Sequence, residues 1–466
     1  MLRELFDALP ADAILTDPGQ LESYRYDSAS FCPAGMPAVV VRPDTVAQVS
    51  AVLRVADAHR TPVVPQGART GLSGGANAVD GAIVLSLQRM NRIVQVDPAT
   101  RTAVVEPGVV NADLSKAVAE HGLFYPPDPA SYEMSTIGGN IATNAGGLCC
   151  VKYGVTADFV RGLEVVLASG EVTRTGRRTA KGVAGYDLTR LLVGSEGTLG
   201  VITQATVALR PIPAAPRTVA ALFDSASAAG KAVVRVSEAG VVPSLLEFMD
   251  SASLAATSTY LRMELPANAT AMLVAQSDAG GERAEQEIAA ISEAFERAGG
   301  FDVIEAEDPA EGEQLLAARR QNFFALEDLG KRTGRTAALH DDVCVPVTML
   351  AQVVDEVREL SERVGLPITV VGHVGDGNLH PTVLFDPDNS DESDIARDAF
   401  GEIMRIGLES GGTITGEHGV GLLKREWLAR ELDPASVRLQ QRLAEVFDPH
   451  RILNPGKLFA NPAARA

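Results

Sequence analysis

Two short segments late in the chain carry side chains able to hold a metal ion or move a proton. In His373-Val-Gly-Asp-Gly-Asn-Leu-His380, Asp376-Gly377 is a two-residue hairpin signal. With that turn at the tip, Gly375 pairs with Asn378, Val374 with Leu379 and His373 with His380. Directly opposed residues project to one face with Cβ atoms about 4.5–5.5 Å apart, a span that suits two imidazoles on one cation. Thr415-Gly-Glu-His-Gly419 adds Glu417 and His418. Neutral imidazoles with a carboxylate suit Zn, Mn or Fe, and three protein ligands (His373, His380, Glu417) leave positions open for a substrate. The competing reading is histidines that cap loops or sit hydrogen-bonded in a core.

Glycine is the other concentrated residue type. Pro65-Gln-Gly-Ala-Arg-Thr-Gly-Leu-Ser-Gly-Gly75 places four glycines in nine positions. Such a loop can turn its N–H groups toward one point, with Thr70 and Ser73 adding hydroxyls, so it reads either as a phosphate cradle or as an ordinary glycine-rich loop. Ser135-Thr-Ile-Gly-Gly-Asn-Ile-Ala-Thr-Asn-Ala-Gly-Gly147 repeats the chemistry. Its small residues let another molecule lie against the backbone, and Asn140, Thr143 and Asn144 offer hydrogen bonds. Two cradles imply a long, flat, polar ligand. A third cluster, Val193-Gly-Ser-Glu-Gly-Thr-Leu-Gly200, precedes a strand-like run.

These loops need elements to position them. Ala38–Arg42 reads as a strand, Thr45–His59 as an amphipathic helix opened by Asp44-Thr45, and Pro62–Pro65 as a second strand. Further strand-like runs lie at 82–87, 93–96, 103–105, 163–168 and 201–209. The proline-rich stretch Arg210–Pro216 marks a boundary. Beyond it, strands at 219–223, 244–249, 271–276 and 301–306 alternate with helices at 226–239 and 281–298, which predicts a ferredoxin-like sheet with its helices on one face. The pattern changes again from about residue 412, where a helix over 422–432 carries Lys424 and Arg425 as solvated charges.

The three glycine clusters, in this order, resemble the FAD-binding domain of the vanillyl-alcohol oxidase and p-cresol methylhydroxylase flavoproteins. Gly185-Tyr-Asp-Leu through Gly194-Ser-Glu-Gly-Thr-Leu-Gly200 resembles the branch with D-lactate dehydrogenases, the glycolate oxidase flavin subunit and D-2-hydroxyglutarate dehydrogenase. The resemblance runs from about Tyr24 to Phe459. It implies an α+β fold: a two-part PCMH-type FAD-binding domain (1–213), a ferredoxin-like α+β cap (214–411), and a C-terminal segment (412–466) returning to the flavin. Pro65, Gly67, Ala68, Arg69, Thr70, Gly71, Leu72, Ser73 and Gly74 would then grip the pyrophosphate. Pro129, Ser135, Gly138, Gly139, Asn140, Thr143, Asn144, Gly146, Gly147, Glu196, Gly197, Ile202 and Asn454 would line the rest of the FAD. No His or Cys lies between Gly67 and Gly75, so non-covalent FAD is expected.

In that branch the positions of His373, His380 and Glu417 bind a divalent metal, zinc ranking ahead of manganese or iron, and the position of His418 is the base facing the flavin. Arg319 is expected to clamp the substrate carboxylate, with His340, Asn378 and Thr382 beside it. The D-2-hydroxyglutarate branch tends to have Thr, Lys and Asn where this chain has Phe323, His340 and Thr382. Losing a hydroxyl and a fixed cation weakens recognition of a second carboxylate. A D-2-hydroxy monocarboxylate such as D-lactate, or glycolate, therefore ranks above D-2-hydroxyglutarate, with the catalytic flavin subunit of a glycolate oxidase complex as a further alternative. Oxygen, a quinone, a cytochrome or an electron-transfer flavoprotein are all compatible acceptors.

Composition sets the outer bounds. With 46% hydrophobic and 22% charged residues the 466-residue chain is globular. A net charge of −19, spread along the chain, points away from nucleic acid. Four cysteines, Cys32, Cys149, Cys150 and Cys344, form no CxxC pair and exclude an iron–sulfur cluster ligated wholly by this chain. No apolar run approaches membrane-span length and the N-terminal residues carry acids. The expectation is a cytoplasmic protein, compatible with peripheral contact at the inner membrane face and with a homodimer. A metal hydrolase would use the His/Glu cluster and leave the glycine loops structural; an inert electron-transfer subunit would have lost that cluster.

Overall fold

The computed structural model describes residues 1–179 and 181–460. It is mixed helix and sheet, and it divides into two compact units. Met1–Gly146, Gly154–Ile212 and the segment from Glu417 onward form the first; Gly147–Tyr153 and Pro213–Gly416 form the second. Among the described residues no helix is long and apolar enough to cross a membrane.

The first unit holds a four-stranded sheet ordered Ile14–Leu15, Val39–Val41, Ile83–Ser86, Val63–Gln66, the last three parallel. The crossover helix Val46–His59 starts where the Thr45 hydroxyl accepts a hydrogen bond from the Gln48 N–H and stops at Arg60, whose φ of 53° is left-handed. It buries Val49, Val52, Leu53 and Ala56 against Val39, Val41, Ile83 and Leu85. Strands covered on both faces need no polar alternation, which is why Val39-Val-Val41 and Ile83-Val-Leu-Ser86 are buried at every position. The free edge at Val63 is covered by the chain's own tail: Val63 N–H donates to Ile452 O (2.7 Å) and Asn454 N–H to Val63 O (2.8 Å). A five-stranded antiparallel sheet, ordered Ile93–Asp97, Thr102–Val105, Val201–Ala208, Val160–Val166, Val172–Gly176, completes the unit.

The second unit is built on an eight-stranded sheet. Its first four strands run Phe301–Glu305, Arg217–Phe223, Ala271–Ser277, Leu245–Asp250, all antiparallel: the fourth-first-third-second order of a ferredoxin-like motif. Helices Ala226–Glu238 and Gly281–Arg297 serve this motif, with Phe223 and Phe295 meeting edge-on at 5.9 Å. The expectation of helices on one face only is corrected. Ala220, Met249, Met272 and Val274 pack under Leu254 of helix Ser251–Leu261 and Leu316 of helix Pro309–Arg320. Ala271–Ser277 is accordingly buried at all seven positions, as a strand sandwiched between helices must be.

The sheet continues through Ile368–His373, Asn378–Phe385 and Ala337–His340. Here the hairpin register differs from the sequence expectation. His373 pairs with Asn378 and Val371 with His380, so the turn takes four residues, 374–377, and not two. Sliding one strand by two residues preserves which face each side chain occupies. His373 and His380 therefore still project to one face, as diagonal neighbours.

Candidate flavin cleft and histidine pair

The three glycine loops of the first unit converge on one cleft. Its wall includes Pro65, Gly67, Ala68, Arg69, Thr70, Gly71, Leu72 and Ser73 from the first loop; Pro129, Ser135, Gly138, Gly139, Asn140 and Thr143 from the second; Glu196, Gly197 and Ile202 from the third; and Glu417 with His418. The same wall contains Asp27, Leu87 and Pro107, which no motif had singled out. Gly74, Asn144, Gly146, Gly147 and Asn454 do not line it.

The loops are pinned by side chains that sequence reasoning had assigned to the ligand. The Ser73 hydroxyl lies 2.7 Å from His418 O and 2.9 Å from Gly419 O. Asn140 donates to Ser135 Oγ (3.1 Å) and accepts from Asn111 Nδ2 (3.1 Å). Thr143 Oγ1 donates to Gly139 O (3.3 Å), and Asn144, left-handed at φ 53°, accepts the Ala157 N–H (2.8 Å). Part of their hydrogen-bonding capacity thus shapes the wall. The open directions at Gly71 and Gly75, where an added Cβ would meet nothing closer than 3.4 Å, leave room for a ligand beside Thr70 and Arg69. Arg69 Nη1 is buried without a hydrogen-bond partner while its guanidinium stacks 4.7 Å from the Tyr24 ring. An orphaned guanidinium nitrogen in a glycine-lined cleft fits a nucleotide pyrophosphate. Among the described residues lining the cleft His418 is the sole histidine and there is no cysteine.

The turn carrying His418 is gripped by its peptide groups. Glu196, at φ 50°, accepts the Val420 N–H (2.7 Å) and the Gly421 N–H (2.8 Å), opposite the two carbonyls held by Ser73. Burial pushes the Glu196 carboxyl up to about 7, those two N–H bonds opposing the shift. Asp27 is also raised by burial. Behind the wall, Asn454 donates to Gly75 O (2.9 Å) and Glu196 O (2.7 Å), and Lys457 Nζ to Asn77 O (2.9 Å) and Asn454 Oδ1 (3.2 Å). Both are buried, and burial draws the Lys457 amine down to about 8. Asn454, expected to touch the cofactor, instead ties two of its loops together. Lys424, expected as a solvated charge, is 1% exposed.

In the second unit the His373 and His380 rings lie 4.9 Å apart at 78°, their ligand nitrogens within 4.8 Å of one another. His373 Nδ1 is 2.7 Å from Glu247 Oε1, and Glu247 Oε2 is 2.8 Å from Arg319 Nε. Sequence reasoning missed Glu247, although a carboxylate inside Leu245-Leu-Glu-Phe-Met-Asp250 was a signal: no position of that strand is exposed. His340 Nδ1 lies 3.0 Å from Thr382 Oγ1, and its ring is 6.2 Å from that of Phe323. Asn378 pairs with His373 in the sheet and is buried. A pair of imidazoles with a carboxylate already on one of them fits a divalent cation. Glu417 follows Gly416, the last residue of this unit, directly in the chain.

Residues 212–458 match the family of FAD linked oxidases, C-terminal domain, and residues 37–176 match the FAD binding domain. The glycolate oxidase subunit GlcD of Bacillus subtilis is 42% identical over 442 residues, 95% of this chain and 93% of that protein. A D-lactate dehydrogenase of Anaerostipes hadrus is 33% identical across 98% of this chain and 96% of its own. The structure of p-cresol methylhydroxylase superposes with a TM-score of 0.82 at 19% identity, covering 99% of this chain and 96% of that one, so the fold is of that type. The chain belongs to the FAD-linked oxidases and is an FAD-linked oxidoreductase.

Proposed function

We propose that this chain oxidises a D-2-hydroxy acid, of the D-lactate or glycolate type, to the 2-oxo acid with non-covalent FAD and a divalent cation, zinc ahead of manganese or iron. The observation that carries the reading is the cleft wall, where glycine loops and an orphaned arginine nitrogen share one lining with Glu417 and His418. The names of the glycolate oxidase subunit and the D-lactate dehydrogenase support the substrate class.

FAD, when bound, supplies the acceptor for hydride from C2 of the substrate. His418 takes the hydroxyl proton, presented from a turn whose peptide groups Ser73 and Glu196 hold. His373, His380 and Glu417 would hold the cation, which would supply Lewis acidity toward that hydroxyl. Arg319, its Nε engaged by Glu247, offers its terminal nitrogens to the substrate carboxylate. At the far end of a longer substrate, Phe323 and His340 provide no fixed cation, which ranks D-2-hydroxyglutarate second. The relative's description as a subunit supports a second reading, a catalytic flavin subunit in a cytoplasmic complex that passes electrons to a quinone, cytochrome or flavoprotein.

The test is the visible spectrum of the purified protein, taken anaerobically before and after D-lactate, glycolate or D-2-hydroxyglutarate. The expected outcome is a flavin band bleached fastest by D-lactate or glycolate. A flavin band that none of these acids bleaches would overturn the substrate class.

A further inference from the structure

We propose that Glu247 is a positioning residue that joins His373 to Arg319, and that the affinity of the histidine pair for a cation depends on it. The inference rests on the metal reading above and deepens it. Glu247 is 1% exposed, in a central strand with sheet neighbours on both sides. A carboxylate there costs several kcal/mol unless it is paired; this one meets a hydrogen-bond partner at Oε1 and, at Oε2, an ion-pair partner that is close but not aligned as a hydrogen bond. Glu247 stands directly opposite His373 in the sheet, so the two side chains share a face; Oε1 meets His373 Nδ1 at 2.7 Å and Oε2 meets Arg319 Nε at 2.8 Å.

An ionised carboxylate only accepts hydrogen bonds, so the proton of a neutral His373 sits on Nδ1 and the lone pair is on Nε2. That is the tautomer in which Nε2 can ligate, with the ring angle fixed before a cation arrives. Arg319 balances the charge of Glu247, and in return the ion pair holds the guanidinium by Nε. One carboxylate thus orients the first imidazole of the pair and the arginine offered to the substrate.

The experiment is a cobalt(II) titration of the chelator-treated, FAD-loaded protein, followed through its visible d–d bands, in wild type, Glu247→Gln and Glu247→Asp. Wild type is expected to bind cobalt with a defined band. Glu247→Gln should bind about 10–100-fold more weakly with a shifted band, the variant remaining folded and its flavin content being retained. Should Glu247→Gln fail to fold, Glu247→Asp serves instead: it keeps the charge but withdraws the oxygen from Nδ1, and is expected to shift the band and weaken binding less. Unchanged affinity and band in a folded variant would overturn the inference alone. No cobalt binding by wild type would overturn the metal reading, and this inference with it.

Discussion

Glu196 shows what burial does to a single group. Its carboxyl is raised from 4.5 to about 7, with burial the leading cause. The folded protein therefore keeps a proton that the unfolded chain has released between those values. Stability from this group is full below pH 4.5 and is lost as pH rises through about 7, a swing of about 3 kcal/mol at 1.36 kcal/mol per unit. Melting temperature measured from pH 5 to 8 should fall in wild type and fall less in Glu196→Gln. Lys457, drawn down to about 8, acts above that window. Two other substitutions separate chemistry from cofactor binding: His373→Ala and His418→Ala are expected to keep the flavin band and lose at least 100-fold in turnover, read by spectrum and steady-state rate. Residue types and spacing made the histidines, Glu417 and the glycine loops legible. They did not reveal that Ser73 and Asn140 spend their polar atoms on the protein itself, because composition cannot say which partner a hydroxyl or amide meets. Glu247 was legible in principle, as a lone acid in an apolar strand, but a single unspaced residue carries no motif.

At the scale of elements, the hairpin between Ile368–His373 and Asn378–Phe385 carries the histidine pair. Its turn depends on Gly377, at φ 89°, where a Cβ would overlap the Val345 carbonyl. Gly377→Ala is expected to cost about 1–3 kcal/mol, seen as a lower melting temperature, together with weaker cobalt binding. The dipeptide Asp376-Gly377 located this turn, but the register is shifted by two, and the Gly377 carbonyl is taken up by another segment, accepting the Val345 N–H at 2.9 Å. Strand and helix positions read from β-branched runs and amphipathic spacing survive to within a residue or two over 38–66. Helix Ser251–Leu261 left no such mark. It packs on the sheet through Leu254 and against Ala325 and Leu326 through Ala256, and burial on two sides erases the polar stripe that would reveal a helix.

At the scale of the molecule, the chain passes between the two units four times, at Gly146/Gly147, Tyr153/Gly154, Ile212/Pro213 and Gly416/Glu417. Only the crossing at 212/213 lies in a proline-rich stretch; the last falls inside the Thr415–Gly419 motif, where composition does not change. The seven-residue visit 147–153 is fastened to the second unit by Lys152 and Tyr153, both on the buried Asp278 carboxylate. Lys152→Ala leaves that carboxylate short of a cation and is expected to cost about 1–3 kcal/mol, measured by urea denaturation.

The four crossings also bear on how the protein is made. A chain leaves the ribosome N-terminus first, and its parts fold as they emerge. The sheet strand Val63–Gln66 appears early, yet the segment that closes its edge, Ile452–Asn454, is among the last to be synthesised. Glu417 and His418 reach the cleft only after the whole of Pro213–Gly416 has been translated. The nascent first unit thus waits, with one edge open and its cleft unfinished, while an entire second unit is made, so translation pauses or a truncated message leave a cleft whose wall lacks Glu417 and His418.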